Sequence, residues 1–293
     1  MAGGRDIRFT AFLGVLILPL LTGIASAAEE PSFRNKLFEA DIDLPRDGLA
    51  TSILRSEIQV GNAAGASQIG QLPVQYTESM EDLDILEAYT LKANGQKFPV
   101  DTAAIFPQLA PGAQLPMLTD RKQKVIVFPN LEVGDTAVFV QRRKQRQTLF
   151  PGYFAVERFF PRTVALDEAR IAISTPKDMA LSIETHDVAF EKSESGDRTV
   201  YTWHHSVPNP VATDPAMLSS FERLPRIFVS TMKDYDELAR AYASGAAPKM
   251  VVTPKIQALA DQITAGQSDR RASRNAGHAQ SEQRQVEVEI GQR

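Results

Sequence analysis

The sequence predicts a mainly β protein: an antiparallel β-sandwich followed by two short helices and a disordered C-terminal tail. Three observations predict this fold class. Between Ser32 and Arg226, short runs rich in β-branched and aromatic residues alternate with turn residues, and no helical period separates them. After residue 230, two segments have the apolar spacing of amphipathic helices. After Gly266 the chain has no aromatic residue and no leucine, so it cannot bury enough apolar surface to stay ordered.

The strand region is justified segment by segment. "KLFEADIDL" and "TSILRSEIQV" flank an "RDG" turn, and "QKVIVFPNL" reads as a short buried strand. In "ILEAYTLKANGQKFPV", the pair Asn94-Gly95 predicts a hairpin with a type I′ turn, because both central residues of that turn need positive φ. "EVGDTAVFVQRRKQR" is a further strand with Ala137, Phe139 and Gln141 on one face. "ALSIETHDVAFEKSESGDRTVYTWHHS" continues the pattern around a "SESGD" turn.

Two helices are predicted after the strands. "STMKDYDELARAYASG" offers Ser230 or Thr231 as the N-cap and Gly245 as the end. "VTPKIQALADQITAG" offers Thr253 as the N-cap and Pro254 at the first helical position. The apolar positions of the second helix recur at i, i+3, i+4 and i+7: Ile256, Leu259, Ala260 and Ile263.

The N-terminus has the pattern of a secretory signal peptide. Arg5 and Arg8 precede the apolar run "AFLGVLILPLLTGIA", and "ASA" supplies small residues at a cleavage site after Ala27. The apolar run is shorter than the roughly 20 residues that a transmembrane helix needs, although an uncleaved anchor is the alternative. We therefore expect a periplasmic protein with no stable membrane anchor after cleavage.

Composition excludes several classes of function. The 293-residue chain has no cysteine, which rules out a thiol nucleophile, a thiolate metal site and a disulfide. Its net charge of -4 predicts no attraction to nucleic acid. No "GxSxG" and no phosphate-binding glycine loop occurs, so no catalytic and no cofactor-binding residue is assigned.

The histidines and the charge runs are the remaining candidates for chemistry. His204 and His205 in "WHHSVPNP" are adjacent on a predicted strand and point to opposite faces, so they cannot hold one metal ion together, and His186 would have to come from another strand. We assign no metal ligand, and expect the Trp of this motif to pack in the core. The basic run "QRRKQRQ" is interpreted as a charged sheet edge that blocks aggregation. The acidic residues of "TESMEDLDILEA" are interpreted as a solvated strand edge: Glu78, Glu81, Asp82, Asp84 and Glu87.

Several stretches, in order, resemble one bacterial family. They are "LDILEAYTLKANGQKFPV", "DRKQKVIVFPNLEVGDTAVF", "FPGYFAVERFFP", "PRIFVSTMKDYDELARAY" and "VTPKIQALADQITAGQSDRR". In this order they resemble an exported family in which a β-sandwich domain of unknown function precedes a transglutaminase-like core. The resemblance implies that the last helix is the first helix of that core. The segment after it, "ASRNAGHAQSEQRQ", matches nothing in the family, and "VEVEIG" then resembles a strand again. A frameshifted gene segment would produce this pattern, and the nucleotide sequence would test that hypothesis.

The resemblance also limits activity. The resemblance implies that the family's core uses a Cys-His-Asp catalytic triad. This chain has no cysteine, and His278 matches no catalytic position. We expect a signal peptide over 1–27, a β-sandwich over 28–229, the helical start of a truncated core over 230–268 and a divergent tail over 269–293. The expected function is that of a non-catalytic exported module, without cofactor, that binds a protein, peptide or glycan of the cell envelope.

Its contact surfaces would be sheet edges and two Pro-rich loops, "FPQLAPGAQLPMLTD" and "VPNPVATDPAMLSSFERLP". The alternatives are a fragment of a transglutaminase-like cysteine protease or transglutaminase that lacks its active site, and a metal-dependent hydrolase.

Overall fold

All fourteen strands of the described residues belong to one large sheet or to one of two small sheets. The computed structural model describes residues 31–111, 120–211 and 223–265, all within the second of two units, Pro31–Arg293. The strands are β1 (Phe33–Asp43), β2 (Thr51–Val60), β3 (Gln71–Thr77), β4 (Glu81–Leu91), β5 (Lys97–Pro99), β6 (Ile105–Leu109), β7 (Arg121–Val127), β8 (Thr136–Gln145), β9 (Ala155–Phe159), β10 (Leu166–Pro176), β11 (Ser182–His186), β12 (Ala189–Ser195), β13 (Arg198–Val207) and β14 (Arg226–Ser230). The helices are α1 (Ala63–Ile69), α2 (Tyr235–Ala246) and α3 (Pro254–Thr264), with 3-10 turns at Thr102–Ala104 and Ala247–Met250.

The large sheet has eight strands in the order β12-β13-β10-β1-β2-β8-β4-β5. The small sheets have the orders β11-β14-β9 and β3-β7-β6. All pairs in the described strands are antiparallel except β1 with β10, which are parallel. The predicted fold class, a mainly antiparallel β-sandwich followed by two short helices, is confirmed.

Both small sheets pack on the same face of the large sheet. Register places Ala40, Leu54 and Gln141 beside one another on neighbouring strands, so they share this inner face. One apolar cluster lies under the β11-β14-β9 sheet and a second lies under the β3-β7-β6 sheet, and Leu54 packs against both. Each fully buried aliphatic side chain contributes about 1.5–3 kcal/mol to the free energy of unfolding. Burial in these two clusters therefore stabilises the packing of the small sheets on the large sheet.

The outer face of the large sheet carries charged side chains on β1, β2 and β10. The guanidinium of Arg170 on β10 reaches two carboxylates of β1, Glu39 at 3.1 Å and Asp41 at 2.8 Å. On β2, Arg55 donates to Glu57 at 2.7 Å. Inward apolar and outward charged residues thus follow the two-residue period of a half-buried strand.

Trp203 is buried in the apolar cluster under the β11-β14-β9 sheet. Its side chain is 1% exposed, and its indole Nε1 donates to Oγ1 of Thr185 on β11 at 3.0 Å. The prediction that this tryptophan packs in the core is confirmed, because a buried indole finds both apolar neighbours and an acceptor.

Local details differ from the sequence predictions at three places. The Asn94-Gly95 turn is present, but only Gly95 has positive φ (85°), so it is not type I′. Instead, β4 and β5 are joined by a longer loop in which Asn94 Oδ1 accepts from the N–H of Gln96 at 2.9 Å. The N-cap of α2 is Asp234, whose carboxylate accepts from Glu237 N at 2.8 Å, and the helix continues through Gly245. Helix α1, which begins after the N-cap Asn62, was not predicted because it is only seven residues long.

The second C-terminal helix agrees with its prediction. Oγ1 of Thr253 accepts from the N–H of Ile256 at 3.3 Å, and Pro254 is the first helical residue. The signal peptide, the tail and the central parts of both Pro-rich loops lie outside the described residues. The boundaries predicted at 229 and 268 stay predictions.

Candidate functional site

The two small sheets border a groove on the inner face of the large sheet, which we call the inner cleft. Strands β3 and β9 are edge strands of their sheets within the described chain. The floor of the cleft, from β1, β2 and β8, consists of Phe38, Leu54, Ser56, Phe139 and Gln141. The space over this floor beside β3 has a volume of about 400 Å³, and a smaller space of about 160 Å³ beside β9 shares Phe38 with it. The larger volume falls within the range of ligand pockets in proteins, about 300–1,000 Å³.

Arg158 of β9 enters the cleft from one side. Strand alternation puts it on the same face as Val156, which packs against the first apolar cluster. The guanidinium carbon lies 4.2 Å from the centroid of the Phe38 ring. Within the part of the chain that the structure describes, the guanidinium has no hydrogen-bonded or ion-paired partner. Burial lowers the pKa of Arg158, and the positive charge of Arg143 lowers it further.

Arg143 of β8 enters the cleft from the other side. Its Nη1 donates to Glu81 Oε1 at 2.8 Å, and its Nη2 donates to the backbone carbonyl of Gln75 on β3 at 2.6 Å. Next to it on the inner face, Gln141 is 5% exposed, and among the described residues its Oε1 has no hydrogen-bond partner. A buried acceptor without a donor costs roughly 1–3 kcal/mol.

The two edge strands differ in how open they are. In β9, Phe160 N donates to Pro225 O and Phe154 O accepts from Thr231 N, both at 2.9 Å. Because backbone groups alternate in an antiparallel pair, the N–H and C=O groups of Ala155 and Glu157 point away from β14. In β3, Pro73 has no N–H and the Gln75 carbonyl is taken by Arg143, so that edge is partly blocked. The accessible backbone edge of the cleft therefore belongs to β9.

The histidines do not meet. His204 is exposed on the outer face, with Nε2 at 3.8 Å from Glu191, whereas the ring of His205 lies 4.7 Å from that of Phe160. His186 has its nearest carboxylate, that of Asp187, at 3.6 Å. In the described residues no three His, Asp or Glu side chains come together as a metal site would require.

His205 gives a testable pH dependence. In the part of the chain that the structure describes, its buried Nε2 has no hydrogen-bond partner, and burial lowers the pKa of its imidazole, with a smaller contribution from Arg162. The folded state then favours the neutral ring, so this contribution to stability is complete above the unfolded pKa of about 6.5 and is lost as pH falls toward the folded pKa. We expect the free energy of unfolding to decrease between about pH 7 and pH 5 less steeply in His205→Phe than in the unaltered protein.

Urea unfolding across this range measures the difference. His204→Phe is the matched control, because it makes the same substitution at the adjacent, exposed histidine of β13. Equal slopes for His205→Phe and the unaltered protein would contradict the assignment.

The acidic and basic runs neutralise each other. They lie mainly on the neighbouring strands β4 and β8 and form three ion pairs of 2.8 Å: Arg143–Glu81, Arg146–Asp82 and Arg142–Asp84. Glu78 of the acidic run pairs instead with Lys122 of β7, at 2.6 Å. Glu87 lies 3.8 Å from Arg55. The interpretation of "QRRKQRQ" as a sheet edge is wrong, since β8 lies between β2 and β4. The charges serve cross-strand pairing instead of edge protection.

Sequence reasoning did not find the inner cleft or Arg158. The one available signal was the alternation in "FAVERFFP", where Arg158 occupies an inward position between Val156 and Phe160. This alternation points to a binding site only once β9 is known to be an edge strand that lies over Phe38.

Fold and site together define a β-sheet module with a groove between its two small sheets. The chain belongs to the family described as a domain of unknown function, DUF3857, whose model matches residues 46–212. The resemblance inferred from the sequence motifs is thereby confirmed for the domain of unknown function. It stays a prediction for the transglutaminase-like core.

Among solved structures, the chain is similar to a putative protease from Parabacteroides distasonis, with a TM-score of 0.71 and 16% identity over 84% of this chain and 49% of that one. The chain thus spans about half the length of that protein, and at this identity the likeness shows the fold alone. An M1 zinc metallopeptidase from Deinococcus radiodurans matches with a TM-score of 0.37 and 11% identity over 67% of this chain and 42% of its own. No curated protein matches the chain. In the described residues, no helix is both long and apolar enough to cross a membrane.

Proposed function

We propose that this chain is a non-catalytic, exported β-sheet module that binds an extended segment of a partner protein in the inner cleft. The observation that carries the proposal is the Arg158 guanidinium, which stands over the Phe38 ring beside an open strand edge and, in the described chain, has no hydrogen-bonded or ion-paired partner. A charge held partly out of water costs free energy unless it is paired, so its retention is accounted for by a ligand.

Sequence features support the remaining parts of the proposal. Export is supported by the signal-peptide pattern of residues 1–27, and the absence of cysteine supports a role without a thiolate nucleophile. The motifs that resemble transglutaminase-like proteins support a role beside such an enzyme, with 230–268 as the start of its core. The exposed apolar residues of this region, among them Tyr235 at 88% and Tyr242 at 67%, are consistent with a further domain packing there.

The cleft is preferred over the outer face for ligand binding because of its chemistry. On the outer face of the large sheet, several charges are paired with one another, as at Arg170 with Glu39 and Asp41. As far as the described residues show, the inner cleft instead has a mostly apolar floor, a guanidinium without an ion-paired partner and backbone groups that point away from β14. Those features fit recognition of an extended peptide, in which main-chain hydrogen bonds supply affinity and side-chain contacts supply specificity.

Selection from a random peptide library tests this function. The chain is expressed from residue 1 in a bacterial host, purified from the periplasm and immobilised, and a phage-displayed library of random dodecamers is passed over it. We expect enriched peptides to bind the unaltered protein and to lose binding to Ala155→Pro, which removes an open N–H at the first residue of β9.

The control is Ala189→Pro, at the first residue of the edge strand β12 of the large sheet, which should retain binding. Thermal unfolding of both variants confirms that they are folded. A library without enriched peptides, or peptides that bind Ala155→Pro as well as the unaltered protein, would contradict the proposed function. A protein retained in the cytoplasm would contradict export.

A further inference from the structure

We infer that the peptide recognised in the inner cleft carries an acidic side chain, and that it binds as an added strand along β9 with this carboxylate on Arg158. The inference rests on the proposed function and adds the ligand's chemistry, conformation and position. Three independent features carry it: the direction of the open backbone groups, the charge of the cleft and the apolar side chains of the floor.

The backbone of β9 fixes where the guest strand lies. Ala155 and Glu157 present N–H and C=O groups away from β14, so an antiparallel guest forms its hydrogen bonds at these two residues. Arg158 then faces the guest in a non-hydrogen-bonded pair, the type in which opposite side chains approach most closely, with Cα atoms about 4.5 Å apart. The guest residue opposite Arg158 therefore points its side chain to the same inward face.

The charge of the cleft fixes what that residue is. Arg158 and Arg143 both contribute positive charge, and Arg143 is already paired with Glu81. In β9, Glu157 is exposed on the other face of the strand and does not approach Arg158. A guest carboxylate would find in Arg158 a guanidinium with donors free among the described residues, in the fork geometry that carboxylates fit.

The floor fixes the neighbours of the acidic residue. Side chains of a strand alternate, so guest residues two positions away on the inward face meet the floor of Phe38, Leu54 and Phe139. The ligand is therefore an extended segment with one Asp or Glu flanked, at alternate positions, by apolar residues.

A purely protective role for Arg158 is the competing explanation. Inward-pointing charges on edge strands prevent edge-to-edge aggregation, and such a role needs no ligand. The two explanations predict different effects of substituting Arg158. If Arg158 binds the ligand, its substitution changes the affinity by an amount that depends on the charge of the peptide. If Arg158 only prevents aggregation, the affinity does not depend on the charge at position 158.

The sequences enriched from the library, and a charge exchange, test the inference. We expect the enriched dodecamers to share an Asp or Glu at one aligned position. The most enriched peptide is then synthesised with Glu, Gln or Lys at that position, and its binding to the unaltered protein, Arg158→Gln and Arg158→Glu is measured by fluorescence anisotropy. Arg158→Gln should lose at least about tenfold in affinity for the Glu peptide, and Arg158→Glu should prefer the Lys peptide to the Glu peptide.

Arg142→Gln is the matched control, because it removes the same charge from the outer face of β8 and should leave the affinity unchanged. Enriched peptides without a shared acidic position would overturn this inference while leaving the proposed function intact. Unchanged affinity in Arg158→Gln, together with self-association of that variant, would assign Arg158 to edge protection and also overturn it. A library with no enriched peptide would remove the proposed function and this inference together.

Discussion

Trp203→Ala is expected to lower the free energy of unfolding by about 3–5 kcal/mol, because it removes the largest fully buried side chain of the described core. The substitution leaves a cavity between β13 and the β11-β14-β9 sheet. It also removes the donor to Thr185 Oγ1, one of the side-chain contacts that joins the two sheets. Equilibrium urea denaturation followed by far-ultraviolet circular dichroism measures the change.

Phe190→Ala is the control for this prediction. The Phe190 ring lies 5.2 Å from that of Trp203, but Phe190 is 45% exposed, so its truncation removes less buried surface. We expect it to cost less than half as much as Trp203→Ala. Equal effects of the two substitutions would show that the buried indole does not hold the sheets together.

Asp135→Ala is expected to lower the free energy of unfolding by about 1.5–3 kcal/mol, because it removes a buried, charged acceptor. The side chain of Asp135 is 7% exposed, and its Oδ2 accepts from the backbone N–H of Glu132 and from Lys92 Nζ, both at 2.8 Å. These bonds tie the turn before β8 to the loop after β4. Urea denaturation of the purified variant gives the difference.

Glu132→Ala is the control, because it removes the exposed one of the two carboxylates that pair with Lys92. Glu132 also accepts from Lys92, at 2.7 Å, but its side chain is 77% exposed, and exposed ion pairs contribute roughly 0–1 kcal/mol. The two carboxylates thus share one cation and differ in burial. A larger loss from Glu132→Ala than from Asp135→Ala would refute the argument that burial decides the contribution.

The elements that local pattern specifies were predicted well. Thr253 and Pro254 mark the start of α3 because an N-cap side chain and a proline at the first helical position act within one turn of chain. The alternation of Ala137, Phe139 and Gln141 placed them on one face of β8, which is the inner face. Failures occurred where two local signals competed, as at α2, where Asp234 is the N-cap although Ser230 and Thr231 were candidates.

The order of strands could not be predicted from local pattern. Strands β1 and β10 are parallel neighbours although more than one hundred residues of chain separate Asp43 from Leu166. The basic run "QRRKQRQ" was assigned to an edge because a charged strand is compatible with an edge. In the sheet, β8 lies in the interior and its charges are paired by the acidic run of β4. Pairing between strands depends on contacts that no window of sequence contains.

The sequence by itself determined the mainly β class, the two C-terminal helices, the absence of a thiol and the core position of Trp203, because each follows from residue type or from short-range periodicity. Only the tertiary structure decided that β9 is an edge strand, that Arg158 stands over Phe38, and that Phe38, Leu54 and Phe139 form the floor between the small sheets. These three facts make the inner cleft a candidate site. They arise from packing two small sheets side by side on a large one, an arrangement set by burial of apolar surface over the whole chain.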